Sequence, residues 1–318
     1  MARMTILLAS LLVLLGMGVR SAGPLDPDLP EYRRVSGISG QLKSIGSDTL
    51  NNVMSQWATR FQEFYPSVKV EIEGKGSKTA PPALIAGQAQ FGPMSRPMKP
   101  SEIDDFQEAF GYEPTRLRVG IDCVAVFVHR DCPIEEISFE QLTMVFSVEG
   151  PRVTWGDLGV NDPNFRDVPV SLYGRNSASG TYEFFKTQAL GGADYKPFVK
   201  EQSGSADVVN GVGRDRYSMG YTGLGYVNSD VKALRVTKGE EEASEPSLEN
   251  ALNGQYPLAR FLNIYINYDY RVGLDPLRAE FVRLIYSRQG QEKLLEEGFY
   301  PLTAKIALGE LERLGLEP

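Results

Sequence analysis

The strongest constraint on this chain is an alternation that begins at Leu42 and persists almost to the C-terminus. Short apolar segments of strand character are each followed by a glycine- and hydroxyl-rich loop and then by a segment with helical periodicity. Leu42–Ile45 reads as a strand, Gly46-Ser47-Asp48 as a turn, and Thr49–Phe64 as a helix with Val53, Trp57, Phe61 and Phe64 on one face. Pro66 stops that helix, and Val68-Lys69-Val70-Glu71-Ile72 alternates with the period of two expected of a half-buried strand. A helix around Ala83–Ala86 and a strand around Gln90–Met94 follow, then a helix opened by the pair Ser101 and Asp104 and running to Gly111. Leu117–Val128 is nearly all apolar, as a strand covered on both faces must be. The theme repeats with a helix at Phe139–Phe146, a strand at Val170–Tyr173, helices from Thr181 and from Ser205, and strand material in SMGYTGLGYV. A strand at Ala259–Asn267 and one amphipathic helix over Leu277–Leu295 close the series. Such alternation predicts an α/β architecture with mostly parallel sheets.

Before the alternation come two segments of different character. Residues 1–22 carry Arg3, an apolar run over Ile6–Leu15 and a small-residue stretch with Val19 and Ser21 at signal-peptidase spacing, which reads as a secretory signal. No later stretch approaches the roughly 20 apolar residues needed to cross a bilayer, so the mature protein is expected to be soluble, in the periplasm or secreted. Residues 23–39, rich in Pro and Gly, read as an extended leader. The rest of the 318 residues has room for two domains at about 100 to 200 residues each. The polar, acidic stretch Lys238–Glu249 reads as a solvated surface insertion.

Formal charge is −8, which leaves no electrostatic footprint for nucleic acid or an anionic membrane. A small anion is not excluded, because its site is governed by local donors. Cys123 and Cys132 flank an extended segment that should hold them beyond bonding reach, so two free, buried thiols are expected. The lone His129 reads as structural; HExxH, CxxC and GxSxG are absent, and Ser229 with Lys232 fits SxxK without its companion elements. No enzyme, cofactor or metal is therefore expected.

The chemistry lies in four loops, each placed where a strand gives way to a helix. A helix N-terminus offers unpaired N–H groups and the positive end of its dipole, and so favours an anion. Gly46–Leu50, GSDTL, taken alone reads first as an ordinary cap. In GKGSKTAPP the glycines permit close approach and Ser77 or Thr79 opens the next helix, without Walker spacing. FGPMSRPM places Ser95 and Arg96 at a strand end, where Arg96 alone reads equally as a surface residue. GRNSASGTYEFF is the most specific: Arg175 can hold two oxyanion oxygens in its planar fork, and Ser177, Ser179, Gly180 and Thr181 lead into a helix.

These loops, with GIDCVAVFVHRD and MGYTGLGYV, resemble the phosphate-binding proteins of ATP-driven phosphate importers, members of the type II periplasmic-binding-protein superfamily. The resemblance implies two α/β lobes joined by crossing strands with the ligand cleft between them: residues 40–122 with 257–318 as one lobe, and 123–256 as the other. It implies inorganic phosphate as ligand, the membrane permease of an ABC importer as partner, and a monomer. Carried over by motif, Asp48, Thr49, Ser77, Ser95, Arg175, Ser177, Ser179, Gly180 and Thr181 are the expected contacts, with Arg96 as a second positive group. Ser95 and Ser177 stand where the family commonly carries aspartates. Asp48 is the substitute acceptor for a protonated phosphate oxygen, with Asp122 second in line. The alternatives are a receptor for another tetrahedral oxyanion such as sulfate, or a secreted phosphatase or scavenging protein on the same fold.

Overall fold

A computed structural model describes residues 25–318; the secretory signal assigned to residues 1–22 lies outside them. The chain runs β1 (Gly40–Gly46), α1 (Asn51–Phe64), β2 (Val68–Gly74), α2 (Ala80–Ile85), β3 (Gly92–Met94), α3 (Pro100–Phe110) and the long β4 (Thr115–His129). The middle holds β5 (Glu136–Ser138), α4 (Phe139–Phe146), β6 (Ser171–Arg175), α5 (Gly180–Ala189), β7 (Lys200–Gln202), α6 (Ser205–Arg214), β8 (Ser218–Gly223), β9 (Val231–Ala233), β10 (Arg235–Thr237) and α7 (Leu248–Leu252). It ends with β11 (Ala259–Ile266), α8 (Pro276–Tyr286), α9 (Arg288–Glu296) and α10 (Ala304–Arg313).

One sheet orders its strands β3-β11-β4-β8-β6-β7, with β9 also on β4. β1 and β2 pair in parallel and are tied to β3 by Ile45 N–H to Phe91 O at 3.1 Å and Ser47 N–H to Pro93 O at 2.7 Å. The expectation of mostly parallel sheets is corrected here. β6 is parallel to both β7 and β8, but β11 is antiparallel to β3 and β4, and β4 is antiparallel to β8 and β9. β4 is shared between β11 on its first part and β8 and β9 on its last, and a strand shared in this way need not keep the direction of its βαβ neighbours. β4 pairs with β11 through Cys123 and with β8 from Val124 onward. Its residues from Val119 to Val128 are all buried, which is why the run is apolar without alternation.

Helices cover both faces. α1 buries Val53, Trp57 and Phe61, with Phe61 edge-on to Phe281 of α8 at 5.2 Å and the Trp57 indole donating to Gly290 O of α9 at 2.7 Å. Each such fully buried large side chain contributes about 1.5–3 kcal/mol. In the second half Phe185 stacks on Tyr221 at 3.9 Å, behind Gly174, where the missing Cβ leaves room for the ring.

Two helix readings also need correction. The single helix expected over 277–295 is broken at Ser287, whose hydroxyl accepts from Gly290 N–H and donates to Leu284 O at 2.7 Å, ending α8 and capping α9. α3 opens at Pro100 rather than at a Ser101 cap, and Glu102 accepts the Lys99 N–H at 2.8 Å. In the acidic segment 238–249, read as a solvated insertion, no residue is buried; Ser244 bridges back to Val236 of β10 and α7 begins at Leu248. The leader is anchored: Leu29, Tyr32 and Ile38 are buried, and Arg288 N–H of α9 donates to Pro30 O. Both cysteines are free and buried, and burial pushes the Cys132 thiol up to about 11.

Candidate functional site

The carboxyl ends of parallel strands meet helix starts at one place, the crevice position where α/β sheets bind ligands. β1 ends at Gly46, and Ser47-Asp48-Thr49 lead to α1, whose N-terminus no side chain caps. The Tyr226 hydroxyl reaches the Asp48 and Thr49 carbonyls, each at 3.1 Å, and fixes this turn from the other half of the chain. After β2, Gly76 takes φ +101° and packs on Ala178 O, where a Cβ would lie 2.5 Å away; only glycine fits both demands. Ser95, just past β3, donates its N–H to Ser77 Oγ at 3.0 Å. After β6, Ser179 caps α5 by accepting from Thr181 N–H at 3.1 Å and Tyr182 N–H at 3.4 Å.

These pieces touch across the middle of the molecule. Thr49 Oγ1 and Thr181 Oγ1 are 3.0 Å apart, and Lys78 N–H donates to Ala178 O at 3.2 Å. A Cβ on Gly180 would fall 2.3 Å from Ser77 Oγ and 2.6 Å from Ser95 Oγ. Thr49, Ser77, Ser95, Ser179, Gly180 and Thr181 are thus one buried cluster of small donors.

Arg175, 1% exposed, forms the adjoining group. Its Nη1 donates to Ser205 Oγ at 2.6 Å and its Nη2 to Ser203 O at 2.8 Å, with Asp48 Oδ2 at 3.2 Å. Asp48 Oδ2 also accepts from Ser205 N–H at 2.9 Å and Ser205 Oγ at 3.1 Å, at the N-terminus of α6. Arg175 Nε is buried with no partner among the described residues. Burial pulls the guanidinium below its ordinary value while Asp48 draws it back up; it stays charged regardless.

Two expected site residues lie apart from the cluster. Ser177 is exposed, and Arg96 turns to Glu102 in a bidentate pair at 2.7 and 2.6 Å. Both line a cavity of about 420 Å³ with Lys78, Lys99 and Tyr182 on the outer side of the cluster. A larger cavity of about 610 Å³, beside Tyr32, Glu280 and Arg283, gathers none of the four loops.

Sequence reasoning missed two residues. Ser205 repeats the glycine-then-hydroxyl signature of the other loops in SGSAD, so the signal was present. Arg260 of β11 carries no loop motif. It pairs with Asp122 across β4, Nε at 3.1 Å and Nη2 at 2.8 Å from Oδ2, and Nη2 also donates to Thr181 Oγ1 at 2.9 Å. The readable clue was Asp122 itself, a carboxylate in an apolar strand that demands a buried cation.

Among the described residues, no three or more His, Cys, Asp or Glu side chains gather as a metal site would require, and no helix is long and apolar enough to cross a membrane.

The chain belongs to the PBP superfamily, whose domain model matches residues 34–289. Over 309 residues, 95% of this chain and 95% of the relative, it is 45% identical to the phosphate-binding protein PstS of two strains of Pseudomonas aeruginosa, which fixes its family. It is also 28% identical to Protein SphX of Synechococcus elongatus over 84% of this chain and 79% of that one. The fold matches a putative phosphate ABC transporter substrate-binding protein with bound phosphate from Clostridium perfringens, with TM-score 0.70, 22% identity, and 83% of this chain and 100% of that one covered. An ABC-type phosphate transport receptor from Vibrio cholerae gives TM-score 0.66 at 21% identity, covering 82% and 100%.

Proposed function

We propose that this protein is an extracytoplasmic receptor, periplasmic or secreted, that captures inorganic phosphate between two lobes and presents it to the membrane permease of an ABC importer. The lobes are residues 40–122 with 257–318, and residues 123–256, joined by β4 and β11. The observation that carries the reading is the meeting of Thr49 and Thr181 hydroxyls at 3.0 Å, each at the start of a helix from a different lobe, with Gly180 backed onto Ser77 and Ser95. Small donors and helix N-termini converging in a buried space suit a compact, dehydrated oxyanion. The names of the relatives support phosphate as that anion and the importer as the partner.

In this reading Thr49, Ser77, Ser95, Ser179, Gly180 and Thr181 surround the anion, and Arg175 supplies the charge. Asp48 holds Arg175 through Oδ2 and offers Oδ1 to a protonated ligand oxygen. Arg96 and Ser177 border the approach. The protein acts as a monomeric receptor without cofactor, metal or turnover, in keeping with relatives named as binding proteins.

One observation favours sulfate as a second ligand: within the cluster Ser95 presents a hydroxyl and leaves Asp48 as the single carboxylate at the anion, and it is a carboxylate that penalises a fully ionised one. Calorimetric titration with phosphate, sulfate and arsenate tests both readings. Tight phosphate binding with weak sulfate binding is expected; equal affinities would make this a less selective oxyanion receptor. Hydrolysis of an aryl phosphate by metal-replete protein would overturn the receptor reading in favour of a phosphatase.

A further inference from the structure

We infer that Arg260, braced by Asp122, is a positioning residue that sets the hydroxyls of Thr181 and Thr49 as donors toward the bound anion. The inference rests on the oxyanion reading of the site.

Arg260 and Asp122 are register partners on β11 and β4, one residue before Cys123, where β4 leaves β11 and begins to pair with β8. The pair therefore sits on the crossing strands beneath the meeting point of the lobes. The carboxylate fits there because Gly223 of β8 has no Cβ, which would lie 3.0 Å from Asp122 Oδ1. The Arg260 guanidinium lies 5.0 Å from the Phe184 ring centroid, and its side chain is 4% exposed.

A guanidinium can only donate, so Thr181 Oγ1 must be the acceptor in its 2.9 Å contact with Arg260 Nη2. Thr181 Oγ1 and Thr49 Oγ1 share two protons and stand 3.0 Å apart. One proton is used between them, whichever hydroxyl gives it. Arg260 cannot accept the other, so that proton is left to point at the anion. The corner thus donates to an unprotonated oxygen. Without Arg260, Thr181 Oγ1 could instead accept from a protonated ligand oxygen, and the polarity of the corner would no longer be set.

The energetics argue that the pair is not there for stability. Asp122 Oδ1 and Arg260 Nη1 are buried with no hydrogen-bond partner among the described residues. A buried ion pair left partly unsatisfied is often no better than well-packed apolar residues of similar volume.

The test is the double variant Asp122→Val with Arg260→Met, which removes both charges at once and strands neither. Its phosphate affinity, measured by calorimetry, is expected to fall about tenfold, while its Tm stays at or above that of the wild type. The loss is expected to disappear when the same pair is changed in a Thr181→Val background, because the effect acts through that hydroxyl. Should the double variant not fold, Arg260→Lys serves: it keeps a charge for Asp122 but lacks the planar fork that bridges Asp122 and Thr181, and its loss must likewise vanish with Thr181→Val. A wild-type affinity in the double variant, or losses that simply add to that of Thr181→Val, would overturn the inference and leave the receptor reading intact. A wild type that binds none of phosphate, sulfate or arsenate would overturn both.

Discussion

Gly180 and Ser77 lie against each other across the two halves of the chain, so closely that a methyl group on Gly180 would sit 2.3 Å from Ser77 Oγ. Gly180 opens α5 with an ordinary helical backbone, so alanine there costs the helix itself nothing. Gly180→Ala should therefore fold normally and fail at closure. Its Tm without ligand is expected to match the wild type, while phosphate affinity drops roughly tenfold or more, the scale of overpacking a tight contact. An unchanged calorimetric affinity would show that the lobes need not approach this closely.

Arg175 adjoins the donor cluster through Asp48, and its Nε has no partner among the described residues. Arg175→Ala should weaken phosphate and sulfate alike, by about 1.5 to 3 kcal/mol or more for the lost charged hydrogen bonds. Titration of both anions checks this. A loss confined to one anion would mean that Arg175 selects rather than attracts.

Asp48 offers a different readout, because its Oδ2 is shared by Ser205 and Arg175 and the proposed reading gives Oδ1 to the ligand. Asn at this position can donate to a fully ionised anion. Asp48→Asn is accordingly expected to lower phosphate affinity less than it raises relative affinity for sulfate. The quantity to compare is the phosphate-to-sulfate ratio, and a ratio equal to that of the wild type would assign Asp48 to holding Arg175 alone.

Away from the cluster, Glu102 predicts a pH effect on stability. Burial would raise its carboxyl, but the bidentate hydrogen bonds of Arg96 and the Lys99 N–H outweigh this and hold it below its usual value of 4.5. A carboxylate whose folded value is depressed stabilises the protein above its unfolded value, and that stability is lost as pH falls through the folded one. Glu102→Gln should thus be less stable than the wild type at neutral pH by roughly 1–3 kcal/mol. The gap should close as the medium is acidified below the ordinary carboxylate range. Denaturant melts at several pH values measure it, and a gap independent of pH would assign the loss to packing.

How far the sequence reached can be followed in single residues. The helix of Val53, Trp57 and Phe61 was visible in its spacing because one face is buried against one partner layer. The break at Ser287 was not, since apolar residues continue in phase on both sides and the hydroxyl that ends one helix and caps the next looks like any surface serine. Ser95 and Ser179 were found from loop chemistry and sit in the cluster, whereas Arg96, equally prominent in its motif, turned to Glu102, six residues on.

What the sequence determined by itself was local: which segments alternate, which loops carry glycine and hydroxyl at helix starts, and that the apolar run of β4 must be covered on both faces. Those are properties of periodicity, capping and backbone freedom, each legible within a few residues. Tertiary structure alone decided which donors meet. Thr49 and Thr181 are 132 positions apart and Asp122 and Arg260 are 138 apart, and no spacing rule connects them. Their contacts follow from the antiparallel register of β4 with β11 and from the packing of one set of strand ends against the other, which is settled only when the whole sheet forms.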